Sequence, residues 1–105
     1  MFRLDVGGCT RLTDAALARI GTYKNLLSLS LESAARITDN GLAHLDGLSR
    51  LTHLDLDLCE GVSDDGMAHV ARLLNLTNLG LGGCNLITDA GLGHLANLQR
   101  LANLS

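Results

Sequence analysis

The chain repeats itself with a period of 25 residues. Four pairs of a hydroxyl residue followed by aspartate mark the period: Thr13 and Asp14, Thr38 and Asp39, Ser63 and Asp64, Thr88 and Asp89. Apolar positions recur with the same step, as in Leu4, Leu29, Leu54, Leu79 and Leu104. A fixed period with matched apolar positions is typical of stacked units that bury a shared core. Residues 1–105 are therefore interpreted as a single array of about four 25-residue units, without capping repeats.

Within each unit the hydrophobic pattern changes period, and this change locates the secondary structure. In LTHLDLDLC, Leu54 and Leu56 are two residues apart, which predicts a short strand with one buried face. In SDDGMAHVARLL, Met67, Val70 and Leu74 follow helical spacing. The sequence thus predicts an α/β fold in which each unit runs strand, loop, helix, loop.

The strand segments LLSLSLESA, LTHLDLDLC and LTNLGLGGC match LxxLxLxx(N/C), and in this the chain resembles leucine-rich-repeat proteins along essentially its whole length. The helical segment ITDxGLxHL is similar to their cysteine-containing and related classes. The resemblance implies a right-handed solenoid, with a parallel β-sheet on the concave face and helices on the convex face. Relatives include F-box ubiquitin-ligase substrate receptors and bacterial effectors. Neither role is assigned here, because the chain shows no F-box, catalytic domain or secretion signal.

The four Thr-Asp or Ser-Asp pairs are interpreted as helix starts rather than as catalytic groups. A hydroxyl side chain just before a helix can accept a hydrogen bond from its first backbone amides, for about 1 kcal/mol. An aspartate in the first turn faces the positive end of the helix dipole. Four equivalent aspartates along a ridge do not make one poised group in a pocket, so we expect an architectural role.

Cys9, Cys59 and Cys84 occupy equivalent positions at strand ends, where the remaining unit has Ala34. By the resemblance their thiols point inward, and we expect all three to be buried and free. A disulfide between Cys59 and Cys84 remains open, since neighbouring strands lie about 5 Å apart. An odd number of cysteines without a secretory signal favours a reducing, cytoplasmic location.

A second repeated series consists of His44, His69 and His94. Adjacent helices in an array lie about 10 Å apart, whereas the ligands of one zinc ion all lie about 2 Å from the metal. We therefore expect these histidines on the helix surface, with no metal site and no cofactor.

Charge and composition disfavour several partners. The net charge is −3, the pI is about 5.7, and only 2% of residues are aromatic, so phosphate contacts and base stacking have little support. No apolar run has the length of a membrane helix or the form of a signal peptide. We therefore expect neither a nucleic-acid nor a membrane partner.

The predicted binding surface is the outward-facing row of the strands. Its candidate residues are Arg3, Asp5, Ser28, Ser30, Glu32, His53, Asp55, Asp57 and Asn78. Glycines extend the row at Gly7, Gly80 and Gly82, and Asn103 and Ser105 continue it. Carboxylates cluster in the middle, which favours a basic peptide or protein partner. A plain solvated sheet face and a weak divalent-cation site are the alternatives.

Two other functional classes are considered. Ser28, His53 and Asn78 are one period apart and could form a nucleophile, base and orienting group, but an open sheet face lacks oxyanion donors, so catalysis is not expected. The alternative hypothesis is that the chain is a structural or engineered array whose main property is stability or head-to-tail self-association through its ends. The preferred hypothesis is a protein-interaction module, or part of a longer leucine-rich-repeat protein.

Overall fold

Strands and helices alternate along the chain in the computed structural model, which describes residues 2–105. The strands are β1 (Phe2–Asp5), β2 (Leu26–Ser30), β3 (His53–Asp55), β4 (Asn78–Gly80) and β5 (Asn103–Leu104). The helices are α1 (Asp14–Ile20), α2 (Asp39–Ala43), α3 (Asp64–Val70) and α4 (Asp89–His94), followed by a single 3-10 turn at Leu95–Asn97.

The five strands form one parallel sheet in the order β1-β2-β3-β4-β5. The prediction of an α/β fold with a parallel sheet is confirmed. Leu29 pairs with Leu54, and Leu54 pairs with Leu79, so the register between neighbouring strands equals the 25-residue step of the sequence. Each helix likewise packs against the next helix along the chain.

A single aliphatic core lies between the sheet and the helices. Leu29, Leu54 and Leu79 from the strands are at most 2% exposed, and Leu42 and Met67 from the helices are equally buried. No polar or charged side chain is buried among residues 2–105. The removal of this apolar surface from water is the main stabilising contribution, at roughly 25 cal/mol per Å².

The helices begin at Asp14, Asp39, Asp64 and Asp89, but the expected hydroxyl cap is wrong for three of them. The side chains of Thr13, Thr38 and Ser63 accept no hydrogen bond from their own helices. Only the Thr88 hydroxyl does so, from the Ala90 amide at 3.3 Å. The hydroxyls of Thr38 and Ser63 are bonded to the aspartate of the preceding helix instead. The Thr88 hydroxyl makes both contacts.

Each of these hydroxyl residues is held by the aspartate that starts the helix before it. Oδ1 of Asp14 accepts the Thr38 amide at 2.8 Å, and Oδ2 accepts the Thr38 hydroxyl at 2.6 Å. Asp39 holds the amide and hydroxyl of Ser63 in the same way. Asp64 repeats the arrangement with Thr88, at 2.7 and 2.5 Å. We call this series of three paired contacts the aspartate ladder.

The expectation that all three thiols are buried is wrong for Cys9, which is exposed. Cys59 and Cys84 are buried, and their Sγ atoms donate to the carbonyls of Leu31 and Leu56, both at 3.1 Å. Each acceptor lies 28 residues earlier, on the preceding strand segment. Among residues 2–105 no backbone carbonyl accepts a hydrogen bond from the Cys9 thiol. All three cysteines are free.

Candidate functional site

The outward face of the sheet forms a groove of about 850 Å³, which we call the sheet groove. The predicted residues that line it are Asp5, Ser28, Ser30, Glu32, His53, Asp55, Asp57 and Asn78. The predicted positions Gly7, Gly80, Asn103 and Ser105 also contribute. Arg3 and Gly82 do not line the groove, although the alternation of strand residues had grouped them with the others.

Strand register sets the polar side chains of the groove in rows. Ser28, His53 and Asn78 are paired across β2, β3 and β4, and Ser30 is paired with Asp55. Strands lie about 4.8 Å apart, so neighbours in a row are within reach of one extended ligand. The rows therefore offer a regular polar surface about three strands wide.

Two carboxylates in the groove are fixed by backbone amides. Asp55 Oδ1 accepts the amide of Asp57 at 2.9 Å. Asp57 Oδ1 accepts the amide of Gly82 at 2.7 Å. Neither residue's Oδ2 atom has a hydrogen-bond partner among residues 2–105, which leaves one oxygen of each carboxylate for a ligand.

Gly80 provides the space into which these carboxylates turn. A β-carbon added to Gly80 would lie 2.9 Å from Oδ1 of both Asp55 and Asp57. Both side chains therefore converge over the same glycine, and a larger residue there would displace them. The outward-facing row predicted from the sequence contained the two aspartates and the glycine, but this prediction did not indicate that the glycine determines the position of the carboxylates. The one feature of the sequence that pointed to this role is that Gly80 has no side chain at a position where the outward-facing row otherwise has polar residues.

His53 is exposed, and its Nδ1 atom lies 2.8 Å from the Thr52 hydroxyl, which is also 3.0 Å from the Leu27 carbonyl. If the hydroxyl proton is directed to Leu27, the ring donates through Nδ1 and presents Nε2 as an acceptor. Within residues 2–105 no hydrogen bond joins His53 to Ser28 or Asn78. Asn78 Oδ1 instead accepts from the Thr77 hydroxyl at 2.7 Å. Ser28, His53 and Asn78 thus lie side by side on neighbouring strands, but hydrogen bonds do not connect them.

The four helix-start aspartates lie outside the sheet groove, and three of them, Asp14, Asp39 and Asp64, form the aspartate ladder. The hydroxyl and amide of Thr88 lower the pKa of the Asp64 carboxyl by stabilising its ionised form. A smaller depression of about 390 Å³ on the helix side is lined by Thr38, Asp39, Asn40, Asp65 and His69. Because the ladder aspartates are already bonded to protein groups, their arrangement is structural.

Of the histidine series, His44 and His94 are exposed and His69 is half-buried. His69 Nδ1 lies 3.5 Å from Asp46 Oδ1, and Arg72 donates to Asp46 Oδ2 at 3.1 Å. This cluster joins α3 and the segment after it to the turn after α2, so His69 contacts the neighbouring unit. Within the part of the chain that the structure describes, no three His, Cys, Asp or Glu side chains are placed to hold one metal ion.

Burial changes the chemistry of the two inner thiols. Desolvation raises the pKa of the Cys59 thiol to about 11 and also raises the pKa of Cys84. A nucleophilic or metal-binding cysteine needs the thiolate form. These two thiols are therefore held in the unreactive protonated form at neutral pH.

Over residues 2–105, no helix is both long enough and apolar enough to cross a membrane. Comparison with known proteins adds no identification: no protein-family model matches the chain, and no curated protein is significantly similar to it.

Proposed function

We propose that this protein is a right-handed leucine-rich-repeat solenoid, either a recognition module by itself or part of a longer repeat protein. Its role is to bind a basic, extended segment of another protein in the sheet groove, without catalysing a reaction. The buried thiols of Cys59 and Cys84 are compatible with a location in the cytoplasm, where cysteines stay reduced. The 25-residue period and the one-to-one strand register support the repeat assignment.

The observation that carries this function is the convergence of Asp55 and Asp57 over Gly80. Backbone amides hold both carboxylates in place, so a cationic side chain would meet them without a large loss of side-chain entropy. Asp5 and Glu32, which also line the groove, extend the negative charge toward β1 and β2. A partner with several Lys or Arg residues is the complementary one.

A labelled peptide of alternating arginine and serine tests the proposal, because alternate residues of an extended chain point to the same side. We expect fluorescence anisotropy to show binding that weakens with added salt. The double substitution Asp55→Asn and Asp57→Asn should weaken binding about ten-fold, since it removes both charges but keeps an oxygen acceptor for each amide.

The matched control is Glu60→Gln with Asp65→Asn, which changes the net charge equally outside the groove lining. This variant should bind like the unmodified protein. Equal weakening in both double variants would mean that only overall charge matters, and the groove would lose its proposed role. A peptide of alternating glutamate and serine should not bind.

A second candidate function is head-to-tail stacking of copies, favoured by apolar residues on the last unit. Leu92 is 43% exposed and Leu104 is 49% exposed, although both belong to 25-residue series whose inner members are buried. Light scattering should then give a mass that rises with concentration, and Leu104→Asp should suppress the rise. Leu74→Asp, at a 62% exposed position away from these series, is the control. A constant mass would reject this function.

A further inference from the structure

One position of the repeat places the backbone in the left-handed region. The φ angles are +82° at Gly8, 64° at Ser33, 61° at Leu58 and +74° at Gly83. These four residues follow each other at the 25-residue step, so the loop after each strand requires this conformation. Two units meet the requirement with glycine, which has no β-carbon to clash. The unit that contains Asp55 and Asp57 meets it with leucine.

Leucine is a poor choice for this backbone, and burial does not account for it. The side chain of Leu58 is 50% exposed and is not part of the aliphatic core. Its Cδ2 atom lies across the next unit, 2.5 Å from the point that a β-carbon on Gly83 would occupy. A bulky non-glycine residue in the left-handed region is unusual, and such residues often mark functional positions.

Leu58 is linked to the charged part of the sheet groove by hydrogen bonds through Gly82. It directly follows Asp57, and its amide donates to the Gly82 carbonyl at 2.7 Å. The Gly82 amide in turn donates to Asp57 Oδ1, also at 2.7 Å. Gly82 of the neighbouring unit thus holds the Asp57 carboxylate through its amide and the Leu58 backbone through its carbonyl. The result is an exposed aliphatic side chain that directly follows Asp57 in the chain and reaches toward Gly83, just outside the residues that line the groove.

We propose that Leu58 is a specificity-determining contact for the basic segment bound in the sheet groove. The occupant is then a peptide with cationic side chains over Asp55 and Asp57, plus one aliphatic side chain that packs on Leu58 and across Gly83. This inference rests on the proposed function, because the adjacent carboxylates are the reason for assigning a basic occupant. The aliphatic contact adds selectivity that charge alone does not supply.

The probes are the labelled arginine–serine peptide and a set of variants in which each arginine in turn is replaced by leucine or by serine. With the unmodified protein, the peptide that has leucine at one particular position should bind about ten-fold more tightly than the peptide that has serine at that position. Leu58→Asn and Leu58→Gly should remove this preference. The affinity of the serine peptides should stay unchanged in both variants, and Leu58→Met should keep the preference.

Ser33→Gly is the matched control, because Ser33 has the same backbone conformation one unit earlier. Both Ser33→Gly and Leu58→Gly should raise the melting temperature, by about 4–8 °C, since glycine relieves the left-handed strain. Only Leu58→Gly should alter peptide selectivity. This pair separates relief of backbone strain from loss of a binding contact.

The outcomes for the two proposals are distinguishable. If leucine is never preferred, or if the preference survives in Leu58→Asn and Leu58→Gly, the role of Leu58 is overturned while binding of the serine peptides still supports the groove. If Ser33→Gly removes the preference as well, selectivity comes from loop rigidity and the inference also fails. If no peptide depends on Asp55 and Asp57, the proposed function itself fails.

Discussion

At the scale of single residues, the aspartates that start the helices connect successive units. The carboxylate of Asp14, Asp39 or Asp64 accepts both the amide and the hydroxyl of the residue 24 positions later. The sequence predicted where the helices start, because Thr-Asp and Ser-Asp pairs are typical of those positions. It did not predict the bonding partner, since that depends on how closely two units stack.

The pH dependence of stability should report on this ladder at Asp64. Its pKa is lower in the folded chain, so its contribution is present above the unfolded pKa of about 4. The contribution is lost as the pH falls through the lower, folded value. We expect the free energy of unfolding, measured with urea, to decline across that acidic range.

Asp64→Asn should reduce this decline, because the amide does not titrate. Asp65→Asn is the control, since the neighbouring Asp65 makes no hydrogen bond to the next helix among the described residues. If the free energy of unfolding of Asp64→Asn declines at acidic pH as steeply as that of the unmodified protein, the contact between Asp64 and Thr88 makes no pH-dependent contribution.

At the scale of elements, apolar periodicity predicted the strands and their pairing better than it predicted the helix ends. Equal 25-residue steps place Leu54 opposite Leu29 and Leu79, as the sheet shows. By contrast, Leu74 was grouped with the helix that ends at Val70, and it is 62% exposed. Helical spacing alone cannot reveal that the chain turns after Ala71. There the Ala71 amide donates to the Met67 carbonyl and the Arg72 amide donates to the His69 carbonyl, and the helix ends.

Close helix packing should make two glycine positions respond in opposite ways to alanine. A β-carbon on Gly66 in α3 would lie 2.5 Å from Asp39 Oδ1 and 2.9 Å from Leu42 Cδ1. Gly66→Ala should therefore lower the free energy of unfolding by about 1–3 kcal/mol, because the ladder must shift. This result would reverse the usual helix-propensity advantage of alanine.

Gly93 in α4 provides the control, because a β-carbon there would meet no atom within 4 Å. Gly93→Ala should stabilise the protein by up to about 1 kcal/mol. Urea denaturation of both variants measures the two effects. Stabilisation by both substitutions would show that the helices can separate without loss of the ladder.

At the scale of the whole molecule, the strand alternation predicted which side chains face outward, and most of them line one groove. The depth of the groove and the convergence over Gly80 could not be predicted, because they depend on how the strands and side chains are placed in three dimensions. The strained backbone at Leu58 was missed for a related reason. Leucine fits the composition of the chain, and only comparison with Gly8 and Gly83 in three dimensions exposes it as an exception.

Thiol reactivity should report on the integrity of the whole core. With an Ellman-type reagent near pH 8, the native protein should show one fast-reacting thiol, the exposed Cys9. Cys59 and Cys84 should react only on unfolding, because burial and a raised pKa keep them protonated. Cys9→Ser should abolish the fast phase. Rapid reaction of three thiols in the native state would contradict a closed core.

The aliphatic interior, which contains no buried polar side chain among the described residues, has a consequence for how such a chain can change its length. Interior positions one period apart are chemically almost interchangeable, so a unit could be duplicated or excised by recombination while each junction still met a familiar neighbour. The units are then distinguished by a few outward-facing positions at which their sequences differ, above all Asp55, Asp57 and Leu58. Under the proposed binding role, very few codon changes at these positions would give otherwise similar copies different binding preferences.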